Sequence, residues 1–240
     1  MIKSFLYYFL IFFIYSVLGW LMESIYVSIL QKKIVNRGFL IGPYCSIYGY
    51  GSLIIVLYLE QYKSNIFTVF ILGVAICSIL EYITSYLMEK IFKARWWDYS
   101  DRKFNLNGRV CGENAILFGL GGILIIYIIH PFIKDLLNNI NNLLLTILTI
   151  IFLIIYISDT ITSFNIVNKL KKNLSNIDIR KDSTQELKNL VSEVINNNIN
   201  SRKVKLNIFQ KRIINAFPNF EINKFINNNK KGIKKLLNKK

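Results

Sequence analysis

A chain of 240 residues that is 53% hydrophobic and only 18% charged carries too little charge for a soluble domain of its size. Its net charge of +16 sits almost wholly at one end: residues 1–166 hold 12 Lys/Arg against 9 Asp/Glu, and residues 167–240 hold 18 against 5. Three unpaired cysteines (Cys45, Cys77, Cys111) argue against a disulfide framework, and a lone histidine, His130, leaves no His-based metal site, so no cofactor or metal is expected.

The apolar residues come in blocks long enough for transmembrane helices, and five spans are expected in an all-α helix bundle. The first runs from Phe5 to Leu30 and contains Glu23. It is too long for a signal peptide and has no small-residue cleavage pattern. The second runs from about Ile41 to Leu59, opens on Gly42-Pro43 and carries Gly49 and Gly51, so its first half is expected to be kinked or closely packed. The third spans Ile66–Met88 around Glu81, the fourth Cys111–Ile129 with Glu113 near its start, and the fifth Leu143–Ile166 around Asp159.

The loops at 31–40 and 90–110 carry Lys32, Lys33, Arg37, Lys90, Lys93, Arg95, Arg102, Lys103 and Arg109, against Lys3, Lys63 and Lys134 on the other side. This asymmetry places the N-terminus outside and the C-terminus in the cytoplasm of a multi-pass cell-membrane protein. Residues 1–166 form the membrane domain, and 167–240 form a basic tail. In the tail, Ser183 and Glu186 have capping-box spacing before an amphipathic run, and a second helix is expected over about 204–217, with Leu206, Phe209, Ile213 and Ala216 on one side. Such a tail suits an anionic lipid surface rather than nucleic acid.

Ionisable groups within a bilayer need a partner or a water-filled cavity, since an Asp at the helix centre costs roughly 2.5–3.5 kcal/mol on insertion scales. Glu23, Glu81 and Asp159 each lie about 10 Å, or seven residues, before the cytoplasmic end of an inward-running span. Glu113 starts the fourth span at a similar level. Ser16, Gly19, Trp20 and Glu23 lie near one helical face, as do Gly73, Cys77, Glu81, Ser85 and Glu89, and Tyr156, Asp159, Thr160 and Ser163. The expected counter-charges are Arg37, Arg95 and Arg109, whose planar forks suit a carboxylate or a phosphate. Asp98 joins this cluster from the loop Arg95-Trp96-Trp97-Asp98-Tyr99-Ser100, in which Trp96, Trp97 and Tyr99 are expected to anchor at head-group level. These groups could form a structural ion-pair network or a pocket for a substrate or head group. No Walker-type phosphate loop, nucleophile elbow or zincin motif is present.

Several motifs taken together resemble the bacterial multi-pass ABC-transporter permease family of type IV. They are Gly19-Trp20 with Glu23, Asn36-Arg37-Gly38-Phe39-Leu40, Gly42-Pro43, Ile47-Tyr48-Gly49 and Gly51. Further along come Glu81-Tyr82, Ser85, Met88-Glu89, Arg95-Trp96-Trp97-Asp98-Tyr99-Ser100, Phe104-Asn105 and Gly108-Arg109. The likeness covers about residues 5–165 and leaves out the tail. Cys111-Gly112-Glu113 departs from it, standing where a more apolar stretch is expected. The resemblance implies a permease subunit without a nucleotide site of its own, served by a separate ATPase and working as a homo- or hetero-oligomer among membrane lipids. Two other readings remain open on the residues alone: an intramembrane enzyme or lipid-handling protein using the acid and arginine cluster, and a scaffold acting through the tail.

Overall fold

The computed structural model describes residues 2–92, 95–175, 208–209 and 212–213, with side chains from Lys3 to Lys169 in the first two segments. The order is α1 (Ile2–Gln31), α2 (Ser46–Leu59) with a 3₁₀ turn at Glu60–Tyr62, α3 (Ile66–Phe92), α4 (Gly112–Leu124), a π turn at Ile125–Ile129, α5 (His130–Asn138) and α6 (Asn142–Ser175). The Ser183–Glu186 capping box, the run after it and most of the second tail helix lie outside the described residues.

Among the described residues, four helical stretches are long and apolar enough to cross a membrane: Lys3–Gln31, Ile66–Phe92, Gly112–Asn138 and Asn142–Lys169. The fourth expected span therefore continues past Ile129. Pro131 follows immediately. It sits in the first turn of α5, and the π turn before it carries the helix through. A π turn widens the backbone and absorbs the register change where the proline removes a donor. α6 likewise runs on to Ser175, past the boundary placed after Ile166.

The second expected span corrects the count of five continuous helices. α2 has only 14 residues, about 21 Å at the α-helical rise. Of the expected span, residues 41–45 are not helical; with the loop before them they form residues 32–45, which leave the end of α1 and fold back along it without helical structure. α2 then starts beside Ser16, at the middle of α1, where the Cys45 amide donates to the Ser16 carbonyl at 2.8 Å. It runs to the opposite end of the bundle, where Glu60 pairs with Lys134 at 2.8 Å. The passage between the ends is thus half irregular chain and half helix. Irregular backbone at membrane depth is tolerated only where protein satisfies its polar groups.

α1 and α2 can approach this closely because glycines stand at the crossing. A Cβ on Gly49 would run into Ser16 Oγ and the Phe12 carbonyl, and one on Gly19 into the Tyr48 ring. Gly49→Val should therefore destabilise the bundle by about 3 kcal/mol, at the upper end of overpacking costs. Thermal unfolding in detergent checks this, and a wild-type midpoint would show that the helices can part without loss. Outward-facing side chains of α3 and α6, such as Ile71, Ile79, Ile150 and Ile154, are apolar and exposed, as lipid contact requires.

Candidate functional site

The fold-back segment is held by a polar ladder on α1. Ser16, Trp20, Ser24 and Ser28 recur every fourth residue and so share a face. Ser28 Oγ accepts from the Val35 amide at 3.0 Å, and Ser24 Oγ accepts from the Arg37 amide at 3.2 Å. Trp20 Nε1 donates to Asn36 Oδ1 at 2.8 Å, and the Ser16 carbonyl takes Cys45 as described. Glu23, on the adjoining strip, accepts from Arg37 Nε at 3.1 Å.

Asp159 of α6 secures the other side of the segment. Its carboxylate accepts from the Ile41 amide at 3.0 Å, the Gly42 amide at 2.7 Å, the Tyr44 hydroxyl at 2.5 Å and Ser163 Oγ at 2.8 Å. The charge expected to face an arginine instead serves as the acceptor for two backbone donors that a continuous helix would have bonded internally.

The second substructure is a cap folded from residues 95–111. Tyr99 N donates to the Gly108 carbonyl at 2.8 Å, and Leu106 N to the Val110 carbonyl at 3.0 Å. Gly108 has φ +66°, and a Cβ there would meet Asp98, Ser100 and Arg95, so this position requires glycine. Arg109 reaches from the cap to α3, donating to Glu89 Oε2 at 2.7 Å and to Ser85 Oγ at 3.2 Å. Its guanidinium also lies 5.7 Å from the Tyr82 ring and 5.5 Å from the Tyr86 ring. Arg95 bridges Glu89 at 3.5 Å and Asp98 at 3.0 Å.

Burial pushes the Asp98 carboxyl up, but hydrogen bonds from Ser100 and the Arg95 charge outweigh it and hold the group below its ordinary 3.8. A carboxyl depressed on folding stabilises the folded cap above its unfolded value, and that stabilisation is lost as pH falls through the folded value. The cap should therefore loosen below pH 3.8, seen as a change in tryptophan fluorescence from Trp96 and Trp97. Asp98→Asn should remove that acid step, and an identical acid profile in the variant would refute the assignment.

Between these substructures lies a polar interior. Glu81 is 7% exposed, and its Oε1 accepts from the Tyr99 hydroxyl at 3.2 Å, while Oε2 has no hydrogen-bond partner. Burial and the neighbouring Glu81 charge push the Tyr99 hydroxyl far above its usual range, so it acts as a donor. Asn114 of α4 lies beside this pair, and Tyr48 of α2 interacts with Glu23 and lies within electrostatic range of Tyr99. Polar groups thus run from Arg37 through Glu23, Tyr48 and Tyr99 to Glu81.

The structure brings together Glu23 with Arg37, and Glu89 with Arg95, Asp98 and Arg109. Asp159 of α6 stands apart, bound to the fold-back segment. Glu113 pairs with Arg102 at 3.2 Å, both 61% exposed, so it does not join the buried groups, and its neighbour Asn114 does. Trp96 is 3% exposed and packs against Phe39 and Phe92 at ring distances of 5.5 and 5.8 Å. Trp97 Nε1 donates to the Arg109 carbonyl at 3.0 Å, and Tyr99 points to Glu81. Trp96 thus joins the cap to the fold-back segment, Trp97 ties the cap to itself and Tyr99 ties it to α3, so none of the three serves as a free head-group anchor. Tyr44, Tyr48, Asn114, Ser24 and Ser28 were missed. For the serines a signal existed in the four-residue spacing from Ser16, and for Tyr48 in the motif Ile47-Tyr48-Gly49; for Tyr44 and Asn114 none did.

An α-helical bundle with four membrane-length apolar helices, one discontinuous passage and a folded loop cap is the architecture of a multi-pass membrane protein. The model of the family described as "Putative ABC-transporter type IV" matches residues 10–164, and the chain belongs to that family. No curated protein and no solved structure matches the chain.

Proposed function

We propose that this chain is the membrane-embedded permease subunit of a transporter whose ATPase is a separate polypeptide, with the capped, loop-rich end and the tail in the cytoplasm. The observation that carries this reading is the discontinuous passage. Unwound backbone beside half-helices is how membrane transporters build binding sites at depth, because it leaves main-chain and side-chain polar groups facing the interior. Here that stretch borders Glu23, Tyr48, Tyr99 and Glu81. The excess of Lys and Arg in the two loops at the same end supports the orientation. The cap and fold-back segment, tied together by Phe39, Phe92 and Trp96, form a rigid surface at that end on which an ATPase subunit could act. In this reading the interior groups are the substrate path, and the apolar outer faces of α3 and α6 meet lipid or further subunits.

The test is purification of the tagged protein in mild detergent. A nucleotide-hydrolysing subunit should be recovered with it and lost when the cap is unfolded by Gly108→Val. Recovery of the bundle alone, under conditions that hold known transporter complexes together, would defeat the reading. A second reading, a lipid-handling role, is favoured by one observation: Glu81 keeps an unpartnered oxygen beside a tyrosine donor. It requires Glu81→Gln to abolish activity on head groups while abundance and melting stay at the wild-type level.

A further inference from the structure

Two described residues of the distal tail, Arg212 and Ile213, contact the bundle. Ile213 is 1% exposed and packs with Phe92, Trp96 and Val167, beside Phe39, Met88 and Ile166. This notch lies where α3, α6, the cap and the fold-back segment meet. Arg212 donates from Nη2 to the Phe39 carbonyl at 3.4 Å, and its charge lies within electrostatic range of Asp159 and Cys45. Ile208, by contrast, is 80% exposed.

Two features make this contact suited to opening. The apolar half is well made, since a fully buried isoleucine in an aromatic notch gives up its contact with water. The polar half is not: Arg212 Nε and Nη1 are buried and have no hydrogen-bond partner. A buried donor without an acceptor costs free energy that it regains on returning to water. Among the described residues the docked state is therefore held by Ile213 and the single bond to the Phe39 carbonyl and opposed by the two unsatisfied donors of Arg212, which favours reversal. Its position matters because Arg212 bonds to the fold-back segment and lies within electrostatic range of Cys45, whose thiol in turn lies 3.9 Å from Glu23 Oε2 in the polar interior.

We propose that the tail segment containing Arg212 and Ile213 is a reversible intramolecular latch that seats in the Phe39–Phe92–Trp96–Val167 notch and covers the interior at Cys45. The assignment does not depend on the transport reading, because it concerns access to the interior and not what passes through it.

Cys45 is buried and free and serves as the reporter. In full-length protein carrying Cys77→Ala and Cys111→Ala, the labelling rate of Cys45 by a charged, water-soluble maleimide measures opening. Ile213→Asp should raise that rate by at least about tenfold, the factor expected from losing a buried aliphatic anchor. Arg212→Glu should raise it as well, by placing a like charge near Asp159, and Ile208→Asp should leave it at the starting value. Oxidising the pair Val167→Cys and Ile213→Cys in the same background should form a crosslink and slow Cys45 labelling below that value. An unchanged rate in Ile213→Asp overturns the latch, as does an equal rise in Ile208→Asp. If Ile213→Asp fails to fold, the crosslink decides: a pair that does not form, or that forms without slowing Cys45, overturns it too.

Discussion

Asp159→Asn should release the fold-back segment and lower the stability of the bundle by about 3 kcal/mol or more. The carboxylate accepts four hydrogen bonds, two of them from backbone amides that have no helical partner. An asparagine of the same shape keeps one acceptor oxygen and turns an NH₂ toward donors, so at least two of the four bonds are lost and donors then face each other. Bonds to a charged acceptor contribute about 1.5–3 kcal/mol each, and partial exposure of this side chain places the loss toward the lower end. Detergent melting should show the drop, and Cys45, three residues beyond Gly42, should become reactive to maleimide. Asp159→Glu should fall between the two, because the acceptors remain but sit one methylene out of place. A wild-type midpoint for the asparagine variant would mean that the α1 ladder alone holds the segment.

The second large effect is expected at Arg109. One guanidinium joins Glu89, Ser85 and the faces of two tyrosines, with its side chain 11% exposed. Arg109→Ala leaves the Glu89 charge with only the longer Arg95 contact of 3.5 Å, and removing one member of a buried pair costs about 3–5 kcal/mol. Arg109→Lys should recover only part of this, since a lysine can meet Glu89 but cannot also fork to Ser85 and stack on Tyr82 and Tyr86. Melting of the cap, followed by Trp97 fluorescence, separates the three proteins. A double-mutant cycle with Glu89→Gln should give a coupling above about 1 kcal/mol, as for residues in one network. Equal stability of the lysine variant and wild type would show that charge alone matters there.

Membrane class, helical architecture and family were legible in the sequence because they rest on properties each segment carries by itself. A run of twenty apolar residues needs a bilayer wherever it is placed. The four-residue recurrence of Gly73, Cys77, Glu81, Ser85 and Glu89 marked the inward face of α3, where Glu81 and Ser85 are buried. Arg37, Arg95 and Arg109 were legible as counter-charges to the acids, but the pairs Arg37–Glu23 and Arg109–Glu89 came from the structure.

What the sequence could not determine was every feature that depends on two distant segments meeting. The apolar run after Ile41 was read as helix from its first residue. Only Asp159, more than a hundred positions away, makes an unwound segment acceptable there by taking its free amides. The tryptophans of the cap resembled an interface belt because that preference is local, whereas Phe39 and Phe92 draw Trp96 inward. Glu113 had the right depth but the wrong direction: at the first turn of α4 it turns out to Arg102 while Asn114, one residue on, turns in. Helical phase at a chain entry is set by how the preceding loop folds, and that loop's shape comes from the tertiary contacts around it. The sequence thus determined which residues must be buried and compensated, and only the packed structure decided which partner each one received.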